Sequence, residues 1–183
     1  MIHPLADVQS QNIGEGTTIW QFSVILRDAK IGSYCNINCH TFIENKVVLG
    51  DYVTVKSGVF LWDGITVENH VFIGPNSTFT NDKRPRSKQY PPSFQQTVLK
   101  HHASIGAGAT ILGGVTIGEY AIVGANSLVT KDVPARSLVF GQPARIQGWV
   151  NEDGSPMESL SNSRVKDNQG KIWTINDKQL QLL

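Results

Sequence analysis

Asn81 opens the run NDKRPRSKQYPPSFQQTVLKHH, in which an amide and a carboxylate, Asn81 and Asp82, are followed by Lys83, Arg84, Arg86, Lys88 and Tyr90, and at the far end by His101 and His102. Cationic side chains gathered on an irregular segment suit an anionic ligand, and a guanidinium grips a phosphate through two parallel N–H bonds. Arg84, Arg86 and Lys88 are therefore the candidates to meet an anion. Histidine titrates in the range useful for proton transfer, which leaves His101, His102, His40 and His70 open as general bases. Cys35 and Cys39 have no evident base or cation beside them and imply neither a nucleophile, a disulfide framework nor a metal cluster.

What must position these groups is a six-residue beat. An aliphatic residue returns at Ile13, Ile19, Ile25, Ile31, Ile37, Ile43, Leu49, Val55, Leu61, Val67 and Ile73, with Phe79 as the last member, and the beat resumes at Ile105, Ile111, Ile117, Val123 and Val129. Helices repeat near 3.6 and half-buried strands at 2, so a sustained period of six predicts a parallel β-helix of short strands joined by tight corners. With three hexads to a coil, residues eighteen apart stack. Arg27, Asn45, Asp63 and Asn81 then form one outward ladder, beside Leu26, Glu44, Trp62 and Thr80. Asn45 and Asp63 read equally well as corner residues that bond local backbone and as ligand contacts. Asn81 stands where the chain leaves the ladder, and is the candidate for chemistry.

The excursion is expected to protrude over 80–104 as an arm covering a site, because long irregular insertions in a solenoid cluster on a binding face. The prism itself is expected over 1–150, closing at PARSLVFGQPAR, with a small β-ribbon tail over 151–183 held by Trp149, Ile172, Trp173 and Ile175. The 16 Lys and Arg against 15 Asp and Glu give a net charge of +1 without a block of one sign, which argues against nucleic acid as a partner. No stretch reaches the roughly 18 apolar residues of a membrane span, and the N-terminus lacks a signal-like pattern, so a cytoplasmic location is expected.

The hexads, the run HASIGAGATILGGVTIGEYAIVGANSLVTKDVP and the terminal GQPAR resemble the hexapeptide-repeat acyltransferases, a resemblance that spans about residues 1–150. It implies an all-β, left-handed parallel β-helix, although the handedness rule for parallel crossovers would favour the opposite hand. The segment FTNDKRPRSKQYP after a GPN corner is similar to N-acetyltransferases of nucleotide-linked 3-amino sugars. Its wording is closer to the branch acting on dTDP-3-amino-3,6-dideoxyhexoses than to the branch acting on a UDP-linked 2-acetamido-3-amino-uronic acid. Some relatives carry a tail of the form GW-x-C-x-C-G…C-x-x-C-G-x-x-Y. Here the corresponding positions are Asn151, Asp153, Gly154, Lys166, Gln169, Gly170 and Trp173, so all four thiols are missing and a metal-free tail is expected.

The resemblance implies acetyl transfer from acetyl-CoA, with Asn81 beside the sugar amine, Arg84, Arg86 and Lys88 at the nucleotide diphosphate, and Trp62 and Tyr90 flanking the base or sugar. A thioester is already activated, so positioning supplies much of the rate and no covalent intermediate is needed. The asparagine orients the nitrogen without acting as a strong base; a histidine base, as in sugar O-acetyltransferases of similar fold, is the competing mechanism. Backbone N–H groups from Gly106 to Gly114 are candidates for the oxyanion. Gly106, Ala107, Gly124 and Ala125 are expected along the pantetheine, and Lys131, Arg136 and Arg145 near the CoA phosphates. Relatives are trimers with sites between subunits, which implies a homotrimer here.

Overall fold

The computed structural model describes residues 1–183 and contains strands without any α-helix. It is an all-β, left-handed parallel β-helix followed by an antiparallel sheet. Its short strands form three flat faces. The first stacks Thr18–Ile19, Asn36–Ile37, Thr54–Val55, Phe72–Ile73, Ser104–Ile105, Ile122–Val123 and Ser137–Gly141; the second runs from Asp7–Val8 through Val24–Ile25, Phe42–Ile43, Phe60–Leu61, Thr78–Phe79 and Thr110–Ile111 to Leu128–Val129. The third stacks Lys30–Ile31, Val48–Leu49, Ile65–Val67, Thr97–Leu99 and Thr116–Ile117.

Registers follow the eighteen-residue columns: Ile19 pairs with Ile37, Ile25 with Ile43 and Ile31 with Leu49. The inward aliphatic of each hexad enters a single core of thirty buried residues, most of them without solvent contact. The fifth residue of each hexad is small because it lies beneath a corner. Thr17 Oγ1 donates to Gly32 O of the next coil while accepting the Cys35 N–H, and Ser23 Oγ donates to Asn38 O. Cys35 fills the same slot, its thiol directed at Gly50 O and its pKa pushed up by burial. A buried thiol held this way is a packing group and a poor nucleophile.

The first coil precedes the beat, with Ile2 bridging Ile19 and Asp7–Val8 pairing Val24–Ile25; Ile2 and Val8 lie one position off the beat that Ile13 begins. Two expectations change. The arm does not extend to 104. The third face resumes at Thr97–Leu99, where Thr97 and Leu99 are buried and Val67 faces Leu99, so the excursion occupies 80–96 and His101 and His102 sit on a prism corner. The tail is more than a ribbon. The last prism strand turns back antiparallel as Ala144–Trp149, and then Glu158–Leu160, Arg164–Lys166, Ile172–Asn176 and Gln179–Leu182 form a four-stranded antiparallel sheet.

Trp149, Met157 and Val165 make the core of that sheet, with Ile146, Trp173, Ile175 and Leu180 against it, whereas Ile172 faces solvent. Two turns of the tail, one around Asn151 and one around Asp167, face each other. Asn151 Nδ2 donates to Ser155 O and Oγ, and Asn151 Oδ1 accepts the Asn168 N–H across the gap. The Asp167 carboxylate accepts the N–H groups of Gln169 and Lys171 and the Trp173 Nε1–H. Amide and carboxylate hydrogen bonds thus organise both turns. No group of three or more His, Cys, Asp or Glu side chains is arranged to hold a metal ion, and no helix is long and apolar enough to cross a membrane.

Candidate functional site

The site residues read from the sequence separate onto the prism edges. Arg27, Asn45, Asp63 and Asn81 share the edge between the second and third faces, as the eighteen-residue spacing requires. Their side chains act on neighbouring coils: Asn45 Oδ1 accepts the Asp28 N–H, Asp63 Oδ1 accepts the Lys46 N–H, and Glu44 accepts the Asp63 N–H. These contacts satisfy corner N–H groups that the parallel ladder leaves unpaired. Asn81 Nδ2 donates to Asp63 O at 3.0 Å, and no hydrogen bond within the chain claims its Oδ1. Trp62 donates Nε1–H to Phe79 O and packs its ring on Phe42 and Phe60.

From Asn81 the arm projects with Arg84, Arg86, Lys88 and Tyr90 exposed, Tyr90 at 83 %. Asp82 is turned inward on the arm itself, its Oδ1 accepting the Arg84 N–H. The root of the arm is stapled shut: Gln95 N–H donates to Asn81 O, and the Gln95 side-chain amide bridges Gly113 O and Lys83 Nζ. Gly113 N–H donates to Thr80 Oγ1, and Gly114 N–H to Thr97 Oγ1. Those two glycine donors are thereby consumed. Gln95, which the sequence reading passed over, is what ties the two ends of the arm together; its signal is faint, because nothing in its spacing departs from a loop.

Gly106, Ala107, Gly124 and Ala125 lie on a different edge, between the first and second faces. Gly106, Gly108 and Gly124 donate to Val123 O, Pro75 O and Val139 O, whereas the N–H groups of Ala107 and Ala125 find no acceptor in the chain. Two free backbone donors one coil apart are suited to carbonyl oxygens of an extended ligand or to a developing oxyanion. Between this edge and that of Asn81 lies the second face, whose outer surface carries an apolar groove of Phe22, Val24, Phe42, Phe60 and Trp62 with His40 at its border. One chain therefore does not unite the Asn81 group with Ala107 and Ala125. Lys131 and Arg145 meet at the closed end of the prism, and Arg136 points elsewhere.

Arg136 ends a column that the sequence reading missed. Along the edge between the third and first faces, Tyr34, Tyr52, His70, His102 and Tyr120 stack ring on ring with centroids 4.6 to 5.1 Å apart. Arg136 lies 4.8 Å over Tyr120 and 5.3 Å from Trp173, and pairs with Glu152. All six adopt the left-handed conformation, with φ from 56° to 59°. That backbone costs roughly 1–2 kcal/mol per non-glycine residue, and aromatic stacking returns about 0.5–1.5 kcal/mol per pair. His101 lies beside the column, 4.1 Å from the His102 ring, with its N–H donated to Glu68, which also pairs with Lys100.

His102 is thus a packed ring, held below the usual histidine range by burial and then by His101 and His70, with Glu152 pulling weakly the other way. A depressed histidine favours the neutral form when folded, so its contribution is intact above the ordinary histidine pKa of about 6.5 and is lost as pH falls through the lower folded value. Unfolding midpoints in urea should therefore fall from pH 7 to pH 5. His102→Tyr should lessen that fall, since tyrosine already holds this corner conformation at positions 34, 52 and 120. An equally steep acid loss in the variant would show that His102 is not its source.

Residues 96–131 match the bacterial transferase hexapeptide family (six repeats). No curated protein matches the chain. Among solved structures, the BC4754 gene product of Bacillus cereus is similar at 24 % identity over 83 % of this chain and 86 % of its own, with a TM-score of 0.60. The UDP-N-acetylglucosamine acyltransferase of Campylobacter jejuni is similar at 17 % identity over 81 % of this chain and 67 % of its own, with a TM-score of 0.56. The acetyltransferase domain of PglB from Neisseria gonorrhoeae aligns at 23 % identity over 80 % of this chain, which spans 56 % of it, with a TM-score of 0.48. The first two likenesses establish a shared fold.

Proposed function

We propose that the chain is an acetyl-CoA-dependent N-acetyltransferase acting on the 3-amino group of a dTDP-3-amino-3,6-dideoxyhexose, working in the cytoplasm as a homotrimer whose sites lie between subunits. The observation that carries this reading is the placement of Asn81. Its Nδ2 is anchored to the Asp63 carbonyl, its Oδ1 is free, and the cationic arm starts from it. An amide oxygen fixed in this way accepts one N–H of a neutral amine and aims the nitrogen lone pair. The transferase family match over residues 96–131, which covers the two coils carrying Ala107 and Ala125, supports acyl transfer.

The amine nitrogen attacks the thioester carbonyl carbon. The developing oxyanion is received by the Ala107 N–H, the C–S bond then breaks, and the proton shed by nitrogen ends on the departing sulfur. Arg84, Arg86 and Lys88 attract the diphosphate. Because Asn81 and Ala107 occupy separate edges of one prism, the reaction requires a second copy, and the apolar groove around Phe42, Phe60 and Trp62 between those edges is the surface on which copies meet.

The test is to incubate the protein with acetyl-CoA and a panel of nucleotide-linked sugars while following free thiol. Thiol release that depends on a dTDP-3-amino sugar, with mass spectrometry showing an amide product, is expected. Release only with a UDP-linked amino-uronic acid would reassign the nucleotide, and an ester product would replace N-transfer by O-transfer. Thiol release with none of these acceptors would refute the reading.

A further inference from the structure

The arm re-enters the prism through a slot cut by glycine. The chain leaves the second face after Phe79 and rejoins the third at Thr97–Leu99, which brings Gln95 back beside Asn81. The Gln95 N–H donates to Asn81 O at 3.1 Å. In the coil above, a Cβ at Gly113 would lie 2.9 Å from the Gln95 side-chain amide and from Thr80 O, and 3.1 Å from the Asn81 Cα; in the coil below, a Cβ at Gly64 would lie 2.4 Å from Gln95 O. Gly64 also has a φ of +96°, which favours glycine on its own account. Two coils thus forgo side chains where one half-buried glutamine passes.

Both ends of the Gln95 amide are engaged. Nε2 donates to Gly113 O at 2.9 Å, and Oε1 accepts the Lys83 Nζ at 3.2 Å. Gly113 is buried, and no other hydrogen bond of the chain reaches its carbonyl. Asn81 is thereby held from two sides. Its Nδ2 reaches down to Asp63 O, while its own carbonyl is tied through Gln95 up to Gly113. Further out, Arg84, Arg86, Lys88 and Tyr90 are exposed, and the one bridge across the arm joins Arg86 to Gln89.

We propose that Gln95 is a positioning residue for the reaction: by fastening the root of the arm to the coil above, it keeps the Asn81 amide in place while the outer arm adjusts to a ligand. This rests on the acyl-transfer reading, in which Asn81 Oδ1 accepts from the amine. Gln95 touches no reacting atom and acts only through Asn81. The bond from Lys83 also keeps one ammonium at the arm root, apart from the cations further out. A simple staple would serve stability alone. A positioning residue has a further property, that its effect on rate vanishes once Asn81 is gone.

The experiment uses Gln95→Met in the full chain, which keeps the volume and the backbone N–H and loses both side-chain bonds. The kcat for acetyl transfer should fall about tenfold with the KM for acetyl-CoA unchanged, the mark of a misplaced reacting group. In the Asn81→Ala background the same substitution should cost nothing more, since residues that act as a unit do not add. Hydrogen exchange at the residue-95 amide, the donor to Asn81 O, should quicken at least about tenfold, while exchange in the buried hexads stays as it was. Gln95→Glu, which keeps the acceptor for Lys83 and loses only the donor to Gly113 O, should follow the same pattern. Unchanged exchange overturns the role whether or not the protein transfers acetyl groups, and so does an unchanged kcat or a loss that multiplies with that of Asn81→Ala. Faster exchange in a protein that acetylates no acceptor would reject the acyl-transfer reading and leave the hold of Gln95 on Asn81 standing.

Discussion

Asn81→Ala is expected to lower kcat for acetyl transfer by about 100-fold with little change in the KM for acetyl-CoA, since misplacing a reacting atom by about 1 Å costs that much. In the proposed reaction the mutation removes the oxygen that accepts from the amine, and it leaves the prism intact because it gives up a single part-buried bond, to Asp63 O. His101→Asn should leave kcat nearly unchanged. A large loss in His101→Asn with full activity in Asn81→Ala would install the histidine base. The opposite side of the reaction can be tested by a single deleted proton. Pro75 occupies the corner position one coil below Ala107, Gly74 being matched with Gly106, so the corner accepts proline and Ala107→Pro removes little beyond the N–H. If sites lie between copies, mixing inactive Asn81→Ala and Ala107→Pro subunits should restore part of the activity, whereas sites within one chain would not be restored.

Ile105→Ala should cost about 2–5 kcal/mol, read as a lower urea midpoint. Ile105 has no solvent exposure and stands in register between Ile73 and Val123, so the cavity touches two coil interfaces at once. Domains of this size are held by only about 5–15 kcal/mol, which makes the loss a large share of the total. Ile105→Val, which keeps most of the volume, should cost about 0.5–1.5 kcal/mol. Equal costs for the two variants would mean that the column relaxes to fill the hole. Stability in a solenoid is close to a sum of neighbouring interfaces, so the weakened coil is also where the first partial unfolding is expected.

The columns of the prism were legible because each coil buries its aliphatic on the one beneath it, which imposes the eighteen-residue period from Ile19 to Ile73. The same arithmetic placed Asn45, Asp63 and Asn81 on one edge. It did not show that Asn45 and Asp63 would bond the backbone of the coil below, nor that Ala107 and Ala125 would be on another edge, because a column says nothing of which corners are adjacent. The aromatic column escaped for a simpler reason. Its members are eighteen apart from Tyr34 to His70 and again from His102 to Tyr120, but the arm lengthens the step between those stretches and the last corner shortens the step to Arg136. Leu99 was passed over because the beat was resumed one hexad late. The tail has no period to read, and its two turns hold together through individual polar contacts of Asn151 and Asp167.

The way the arm joins the prism has a consequence for how this molecule can be altered. Phe79 pairs with Ile111 thirty-two residues on, against eighteen in an uninterrupted turn, yet the rungs on either side keep their alignment. Fourteen additional residues are thus spliced into one vertex without disturbing the scaffold, and lengthening such a splice is entropically mild, about 0.6 kcal/mol per doubling. That vertex is a socket: exchanging the segment between Thr80 and Gln95 for one of different length and charge should redirect what the molecule recognises while its frame stays as it is.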